Sequence, residues 1–240
     1  MGKNIVLLLL VFVVFGFVGY YSYQELLFKQ SSVLLNGNQK SLSTKLMAVD
    51  LNGNGLLIDL TVEIKPGDGK ILANIDVPSF ITDTQASMRE AARQAAVFAK
   101  TDISNLDVVY SVTGPVNTIG GPSAGAAMTV ATAALLLNKP LRQDALITGT
   151  IEDDGTIGPV GGIREKLEAA KTAGYKIVLI PQGESIAIEP VRKCEQKPLP
   201  DGGFKRECTV SYSKINLTES IGISVIEVRS VEEAFFKLTG

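Results

Sequence analysis

Residues 118–137 read TIGGPSAGAAMTVATAALLL, a glycine-rich loop that is followed by an apolar segment. From Ser123 to Leu137 there is no charged side chain, and only Ser123, Thr129 and Thr132 are polar. A segment that is apolar on every side, yet too short to cross a bilayer, is typical of a helix in the centre of a globular core. The sequence therefore predicts a buried helix that begins at Ser123.

Ser123 has two interpretations at this position. Serine is a preferred helix N-cap residue, and in that case its role would be structural. A helix N-terminus also offers unpaired N–H groups and a positive potential, which stabilise a developing oxyanion. Ser123 would then be a candidate nucleophile, and the local sequence leaves both interpretations open.

The composition limits which base could activate a nucleophilic serine. The 240 residues include no histidine, which excludes a Ser-His-Asp triad, a Cys-His pair and histidine-ligated zinc. The segment GGIREKLEAA at 161–170 has a helical pattern that places Lys166 on the same face as Ile163 and Leu167. Most lysines beside an apolar stripe extend to water, but burial would lower the pKa of the amine and let it accept the serine proton.

Two short motifs resemble the proteolytic domain of Lon proteases. GPSAG at 121–125 is similar to the nucleophile motif of that family, and GGIREK at 161–166 is similar to its lysine motif. Their order, and the separation of 43 positions between Ser123 and Lys166, match the family as well. The similarity extends over most of the chain from about residue 43 onward. Two ordered motifs at a fixed spacing are more specific than either motif alone.

The resemblance implies a Ser-Lys dyad, in which Ser123 is the nucleophile and Lys166 is the general base. It also implies that Thr148 orients the lysine amine, with an ordinary strand threonine as the alternative. The residues that would support the dyad, either through the oxyanion or through the shape of the loop, are Gly121, Pro122 and Ala124. The chain departs from the family pattern at Gly120, where many relatives carry an acidic residue.

The implied function is that of a membrane-anchored, ATP-independent serine endopeptidase that hydrolyses peptides or unfolded proteins. The sequence contains no Walker A phosphate loop, so no ATPase module is expected. No cofactor or metal is expected, and the net charge of −2 gives no indication of a nucleic-acid partner. A ring-shaped homo-oligomer is implied by the resemblance only. The alternative is a catalytically inactive Lon-like module that binds or scaffolds partners at the membrane.

The N-terminal segment is expected to anchor the chain. Ile5–Tyr23 contains 19 residues without a charge, which nearly span a hydrocarbon core of roughly 30 Å. A cleaved signal peptide is the alternative, but no A-x-A-like cleavage site follows the apolar run. We therefore expect a transmembrane anchor over residues 1–24, a polar tether over 25–42 and a protease domain over 43–240.

The two cysteines predict an insertion that is closed by a disulfide. Cys194 and Cys208 are separated by 14 positions, and the turn-forming Asp201-Gly202-Gly203 lies between them. This pattern is typical of a β-hairpin over residues 191–213, with two unrelated thiols as the alternative. A disulfide requires an oxidising compartment, so we expect a single-pass cell-membrane protein with its N-terminus inside and its catalytic domain outside.

The rest of the chain alternates between strand-like and helix-like segments. Strands are predicted at Lys45–Leu51, Leu56–Ile64, Lys70–Ile75 and Ala145–Ile151. The turn Gly67-Asp68-Gly69 favours a hairpin between the second and third of these strands. The interleaved order predicts an α/β or α+β fold, with a single compact domain behind the anchor.

Overall fold

The computed structural model describes residues 34–36, 39–75, 79–80, 82–114, 118–198 and 203–240. The predicted anchor, Ile5–Tyr23, lies outside these ranges. Within them, no helix combines the length and the apolar character that crossing a membrane requires.

The described residues form strands and helices that alternate along the chain. The strands are β1 (Leu34–Asn36), β2 (Gln39–Val49), β3 (Gly55–Pro66), β4 (Ile71–Ile75), β5 (Ser79–Phe80), β6 (Leu106–Thr113), β7 (Thr118–Ile119), β8 (Ala145–Ile147), β9 (Thr150–Ile151), β10 (Ile157–Gly158), β11 (Ile177–Pro181), β12 (Ile186–Pro198), β13 (Phe204–Asn216) and β14 (Ser224–Val228). The helices are α1 (Thr82–Ala99), α2 (Gly125–Leu136), α3 (Ile163–Thr172), α4 (Leu217–Ile221) and α5 (Val231–Thr239). This mixed architecture in one compact domain confirms the predicted fold class.

Helix α2 lies at the centre of the fold. All of its residues from Gly125 to Leu135 are buried, in agreement with its uncharged sequence. The helix packs against α1, α5, β2 and β3. Thr129 and Thr132 donate their hydroxyl protons to carbonyl oxygens one turn earlier, so these polar atoms remain satisfied inside the core. The start of α2 therefore has a fixed position in the interior.

The hairpin expected between β3 and β4 does not form. Strand β6 lies between them, antiparallel to β3 and parallel to β4, in a sheet of order β1-β2-β3-β6-β4. The turn that was expected to close the hairpin wraps around the start of β6, where the Asp107 carboxylate accepts hydrogen bonds from the N–H groups of Asp68 and Lys70. Turn residues indicate only where the chain reverses, whereas helix α1 provides the crossover that inserts β6 as the partner.

Strand β2 begins at Gln39, inside the segment that was predicted to be a tether up to residue 42. Leu42 is only 1% exposed and belongs to the main core together with Leu46. The polar residues around Leu42 lie on the other face of the strand, because successive side chains alternate. The composition of this stretch therefore resembles that of a linker although the backbone belongs to the sheet.

A second sheet supports the lysine motif. It has three parallel strands in the order β14-β11-β8. Val178 and Ile180 of β11 are buried in a smaller core, to which α3 contributes Leu167 and Ala170. A strand that is buried in this way carries a nearly continuous apolar sequence, as IVLIP at 177–181 does. The apolar face of α3 fixes this helix on the sheet.

The single strand predicted over Ala145–Ile151 is interrupted in the structure. The N–H of Thr148 donates to the carbonyl of Leu179 in β11, whereas the N–H of Gly149 donates to the carbonyl of Ser123. The two neighbouring residues are thus bonded to different parts of the domain, and β8 and β9 are separate. An apolar run does not indicate such a break, because the break depends on acceptors that are distant in sequence.

β12 and β13 form a long antiparallel hairpin, which we call the β12–β13 ribbon. Each strand has 13 residues, so the ribbon extends beyond both ends of the predicted range 191–213. Cys194 lies directly opposite Cys208, with Cα atoms 4.0 Å apart, and their sulfur atoms are bonded. The pairing that the sequence predicts is therefore compatible with the register of the ribbon.

We expect the two cysteines to be paired in the native full-length chain. Alkylation of the denatured protein without reductant, followed by mass spectrometry, should then detect no labelled thiol, and reduction should expose two. A closed loop of roughly 15 residues stabilises by about 3 kcal/mol, so reduction should also speed amide hydrogen exchange in the ribbon. Cys194→Ser serves as the control, since it should give one label without reduction. Two labels on the unreduced protein would contradict the pairing.

Candidate active site

Ser123 lies at the end of the loop that leads into α2. Gly121, two residues earlier, has a φ of +91°, a backbone conformation that favours glycine. The helix begins at Gly125, and its cap residue Ala124 makes no side-chain cap hydrogen bond. Ser123 is therefore not the N-cap residue, and the structural interpretation of this serine is not supported.

The start of α2 leaves backbone donors near Ser123. The N–H of Gly125 donates to the Pro122 carbonyl and the N–H of Ala126 donates to the Gly149 carbonyl. Among the described residues, the N–H groups of Ser123 and Ala124 have no acceptor. Unpaired donors at the positive end of a helix suit the stabilisation of an oxyanion.

The second glycine of the GPSAG motif is required by packing. A Cβ atom on Gly125 would lie 2.8 Å from the Ile151 Cγ2 and 2.9 Å from the Ser87 Oγ. A Cβ atom on Gly149 would lie 2.4 Å from the Ile157 Cγ2. Gly125 therefore lets α2 approach β9 closely, and Gly149 lets the break between β8 and β9 lie close to β10 and to Ala126 of α2.

Lys166 is buried within the first turns of α3. The helix starts after Gly162, which has a φ of +68°, and Lys166 is only 3% exposed. Its Nζ donates to the Oγ1 of Thr148 at 3.3 Å. The lysine does not extend to water, and it is the only charged residue among the buried residues that the structure describes.

Thr148 connects the lysine to the backbone of the serine. It is 1% exposed and lies at the break between β8 and β9. Its Oγ1 accepts from Lys166 and donates to the Ser123 carbonyl at 3.2 Å. The same carbonyl accepts a second hydrogen bond, at 3.0 Å, from the N–H of Gly149. These bonds bring the three predicted residues Ser123, Thr148 and Lys166 together.

Ser123 and Lys166 line one open cleft of about 410 Å³. The loop residues Gly120–Pro122 form part of its lining, and Pro159–Gly162 form another part. Val49, at the end of β2, also contributes to the cleft. Of the predicted supporting residues, Gly121 and Pro122 line the cleft, while Ala124 lies behind it and packs against the main core.

Burial lowers the pKa of Lys166 to about 8, from an ordinary value of 10.5. Removal of the ammonium group from water is the main cause, and the negative charge of Glu184 partly opposes it. A lysine with this pKa carries a neutral fraction at neutral pH, so it is able to accept a proton from a hydroxyl. Among the described residues, no cluster of three or more carboxylate, cysteine or histidine side chains could hold a metal ion.

Glu184 is a site residue that the sequence analysis missed. Its Oε1 accepts from the N–H of Val160 at 3.2 Å, and its Oε2 is buried without a hydrogen-bond partner in the described part of the chain. Burial raises the pKa of Glu184, while the Val160 hydrogen bond and the Lys166 charge oppose the rise. The available signal was its position just after the buried strand β11, since polar residues at the ends of such strands often line sites.

Comparison with known families agrees with this geometry. The family model described as the Lon protease (S16) C-terminal proteolytic domain matches residues 41–199. The chain belongs to this family. The matched range includes Ser123, Thr148 and Lys166, and it ends between the two strands of the β12–β13 ribbon.

Lon proteases are also the curated relatives that the chain resembles. It is 31% identical to the Lon protease of Phenylobacterium zucineum over 155 residues, which are 63% of this chain and 19% of that protein. It is 36% identical to the archaeal Lon protease of Methanocaldococcus jannaschii over 103 residues, 40% of this chain and 16% of that one. The Lon protease of Frankia alni is 48% identical over 71 residues, 30% of this chain and 8% of the relative. The chain thus spans less than a fifth of these relatives.

We expect Lys166→Met to stabilise the fold near neutral pH. Because the folded state lowers the lysine pKa from 10.5 to about 8, folding with a charged amine costs on the order of 3 kcal/mol below pH 8. This cost declines between about pH 8 and 10.5, and it is absent once the unfolded chain also loses the proton. Chemical denaturation of Lys166→Met should therefore show a higher free energy of unfolding at pH 7, with a gain that shrinks as the pH rises.

The exposed Lys176 provides the control, because Lys176→Met should change stability by less than about 0.5 kcal/mol. A loss of stability in Lys166→Met that is independent of pH would contradict a desolvated amine.

Proposed function

We propose that this chain is a membrane-anchored serine endopeptidase that cleaves peptide bonds with a Ser123–Lys166 dyad and without ATP hydrolysis of its own. One observation carries the proposal: the buried Lys166 amine is hydrogen-bonded through Thr148 to the backbone of Ser123, in the cleft that both residues line. Membership of the Lon proteolytic-domain family supports the same chemistry.

The proposed reaction begins when the neutral Lys166 amine accepts the proton of the Ser123 hydroxyl. The Oγ attacks the carbonyl carbon of the peptide, and the unpaired N–H groups of Ser123 and Ala124 stabilise the negative oxygen that forms. The Lys166 ammonium then protonates the leaving amine, which leaves an acyl ester on Ser123. Water attacks this ester as the same lysine accepts its proton, and the resulting ammonium returns the proton to the Ser123 Oγ as the second product leaves.

The proposed substrates are peptides or already unfolded proteins. The 240 residues contain no Walker A phosphate loop, so unfolding would not be driven by this chain itself. A ring-shaped homo-oligomer is proposed by similarity to the family. We also propose that Ile5–Tyr23 anchors the chain in the cell membrane with the N-terminus inside, because the Cys194–Cys208 pair favours an oxidising compartment for the domain.

A catalytically inactive module is the second candidate. It is favoured by the glycine at position 120, where many relatives carry an acidic residue. A fluorophosphonate or another serine-reactive probe distinguishes the two, because only a functional dyad acylates or phosphonylates Ser123. Labelling at Ser123 that is lost in Lys166→Ala supports the peptidase. A wild-type chain that takes up no probe would favour the binding module.

We expect Ser123→Ala and Lys166→Ala each to lower casein cleavage by at least about 1,000-fold, since the two groups act as one unit. Ser213→Ala and Lys139→Ala are matched controls, because both side chains are exposed and neither lines the cleft. The controls should retain wild-type rates, and circular dichroism should show that all four variants are folded. Cleavage near the wild-type rate in either dyad variant would contradict the mechanism.

We expect kcat/KM to rise with pH around a midpoint near 8, because the active form of Lys166 is neutral. The negative charge of Glu184 favours the ammonium form, so Glu184→Gln should move this midpoint to lower pH, and Gln can still accept from the Val160 N–H. The exposed Glu195→Gln is the control and should leave the midpoint in place. An upward shift in Glu184→Gln, or a wild-type midpoint near 10.5, would refute the assignment of Lys166 as the base.

A further inference from the structure

The two faces of the β12–β13 ribbon differ in composition. Side chains alternate between faces along each strand, and residues directly opposite one another share a face. Because Ile188 lies opposite Lys214 and Pro190 lies opposite Tyr212, the even-numbered residues of both strands share one face. The odd-numbered residues share the other, and we call these the even face and the odd face.

The odd face holds the ribbon to the domain. Ala187 packs against the smaller core, and Glu189 forms an ion pair with Arg164 of α3. Charges on this face are balanced, since its three glutamates accompany three lysines: Glu189, Glu195, Glu207, Lys193, Lys197 and Lys205. The even face is consequently the one directed away from the domain.

The even face is apolar, aromatic and exposed. Its five large apolar side chains are between 46% and 75% exposed: Ile186, Ile188, Phe204, Val210 and Tyr212. Val191 on the odd face is 37% exposed. Soluble monomers rarely leave several large apolar side chains together in water, so such a surface indicates an interaction site.

The even face is also exclusively cationic. Its charged residues are Arg192, Arg206 and Lys214, and the strand residues described on this face include no aspartate or glutamate. Apolar and aromatic side chains combined with cations are typical of surfaces that lie in the headgroup region of an anionic bilayer. A second copy of the same face would meet like charges, which disfavours it as the occupant.

We propose that the even face of the β12–β13 ribbon lies on an anionic lipid bilayer. This rests on the membrane anchor proposed above, because only 10 residues separate the end of Ile5–Tyr23 from the start of β1 at Leu34. A chain of that length spans at most about 36 Å, so the anchored domain stays within reach of the membrane surface. The ribbon then sets the orientation of the domain, and of its cleft, relative to the bilayer.

A single tryptophan tests the contact, because the natural chain has none. Tyr212→Trp places it on the even face, and Ser211→Trp places it on the odd face one residue away. Both full-length variants are reconstituted in phosphatidylcholine vesicles with about 30 mol% phosphatidylglycerol, with or without brominated acyl chains. We expect brominated lipid to quench Tyr212→Trp at least about twofold more than Ser211→Trp. Equal quenching would overturn the proposal.

A charge-matched pair of triple variants tests whether the cations of the even face contribute to the contact with anionic lipid. In the Tyr212→Trp protein, replacing the three even-face cations by glutamine should reduce quenching to the level of Ser211→Trp, and pure phosphatidylcholine vesicles should have the same effect. Replacing the three odd-face lysines, Lys193, Lys197 and Lys205, by glutamine should leave quenching unchanged. If both triple variants lost the same amount of quenching, a contact through the even face would be overturned. Circular dichroism verifies that each variant is folded.

Vesicle flotation at high salt separates this proposal from the anchor. A full-length chain that floats with the vesicles, but whose Tyr212→Trp is not quenched by brominated lipid, overturns the ribbon contact and leaves the anchor and the peptidase in place. A chain that does not float overturns the anchor and the ribbon contact together. A third outcome would indicate a contact between two copies of the chain. In that case the tryptophan emission of Tyr212→Trp shifts to the blue as the protein concentration rises in detergent, and brominated lipid does not quench it in vesicles. This result would overturn the bilayer as the occupant of the even face.

Discussion

The burial of one amine is the constraint on which the site depends. Lys166 is 3% exposed and lies among apolar neighbours on α3, so its charged form is penalised and its pKa falls to about 8. In water the same amine would hold its proton too tightly to act as a base at neutral pH. The domain accepts a loss of stability at this position, which is common where a site is held ready for chemistry.

The rest of the fold brings the Ser123 backbone and this amine to one cleft. Three segments that are distant in sequence converge: the loop before α2, the break between β8 and β9, and the first turns of α3. Thr148 joins them, since its single hydroxyl bonds both the lysine amine and the Ser123 carbonyl. Because α2 is buried on all sides and packs against both helices and strands, the position of Ser123 is fixed by the whole core rather than by its loop.

Patterns within one segment could be predicted from the sequence, and contacts between segments could not. The uncharged run after Ser123 predicts the buried helix, and the spacing of Lys166 from Ile163 places it on the inward face of α3. The pairing of β4 with β6 was missed, because turn residues do not indicate which strand becomes the partner. Thr148 was found only through the family resemblance, and Glu184 was missed, since its proximity to Lys166 depends on how β11 and α3 pack.

The most direct test of this account is the titration of the Lys166 side chain itself. Nuclear magnetic resonance of the full-length chain with isotope-labelled lysine, with the signal assigned by its loss in Lys166→Arg, reports the protonation of this amine independently of any substrate. The account predicts a midpoint near pH 8, well below the ordinary lysine value of 10.5. A midpoint near 10.5 would mean that the amine is solvated and charged at neutral pH, and it would contradict the central claim.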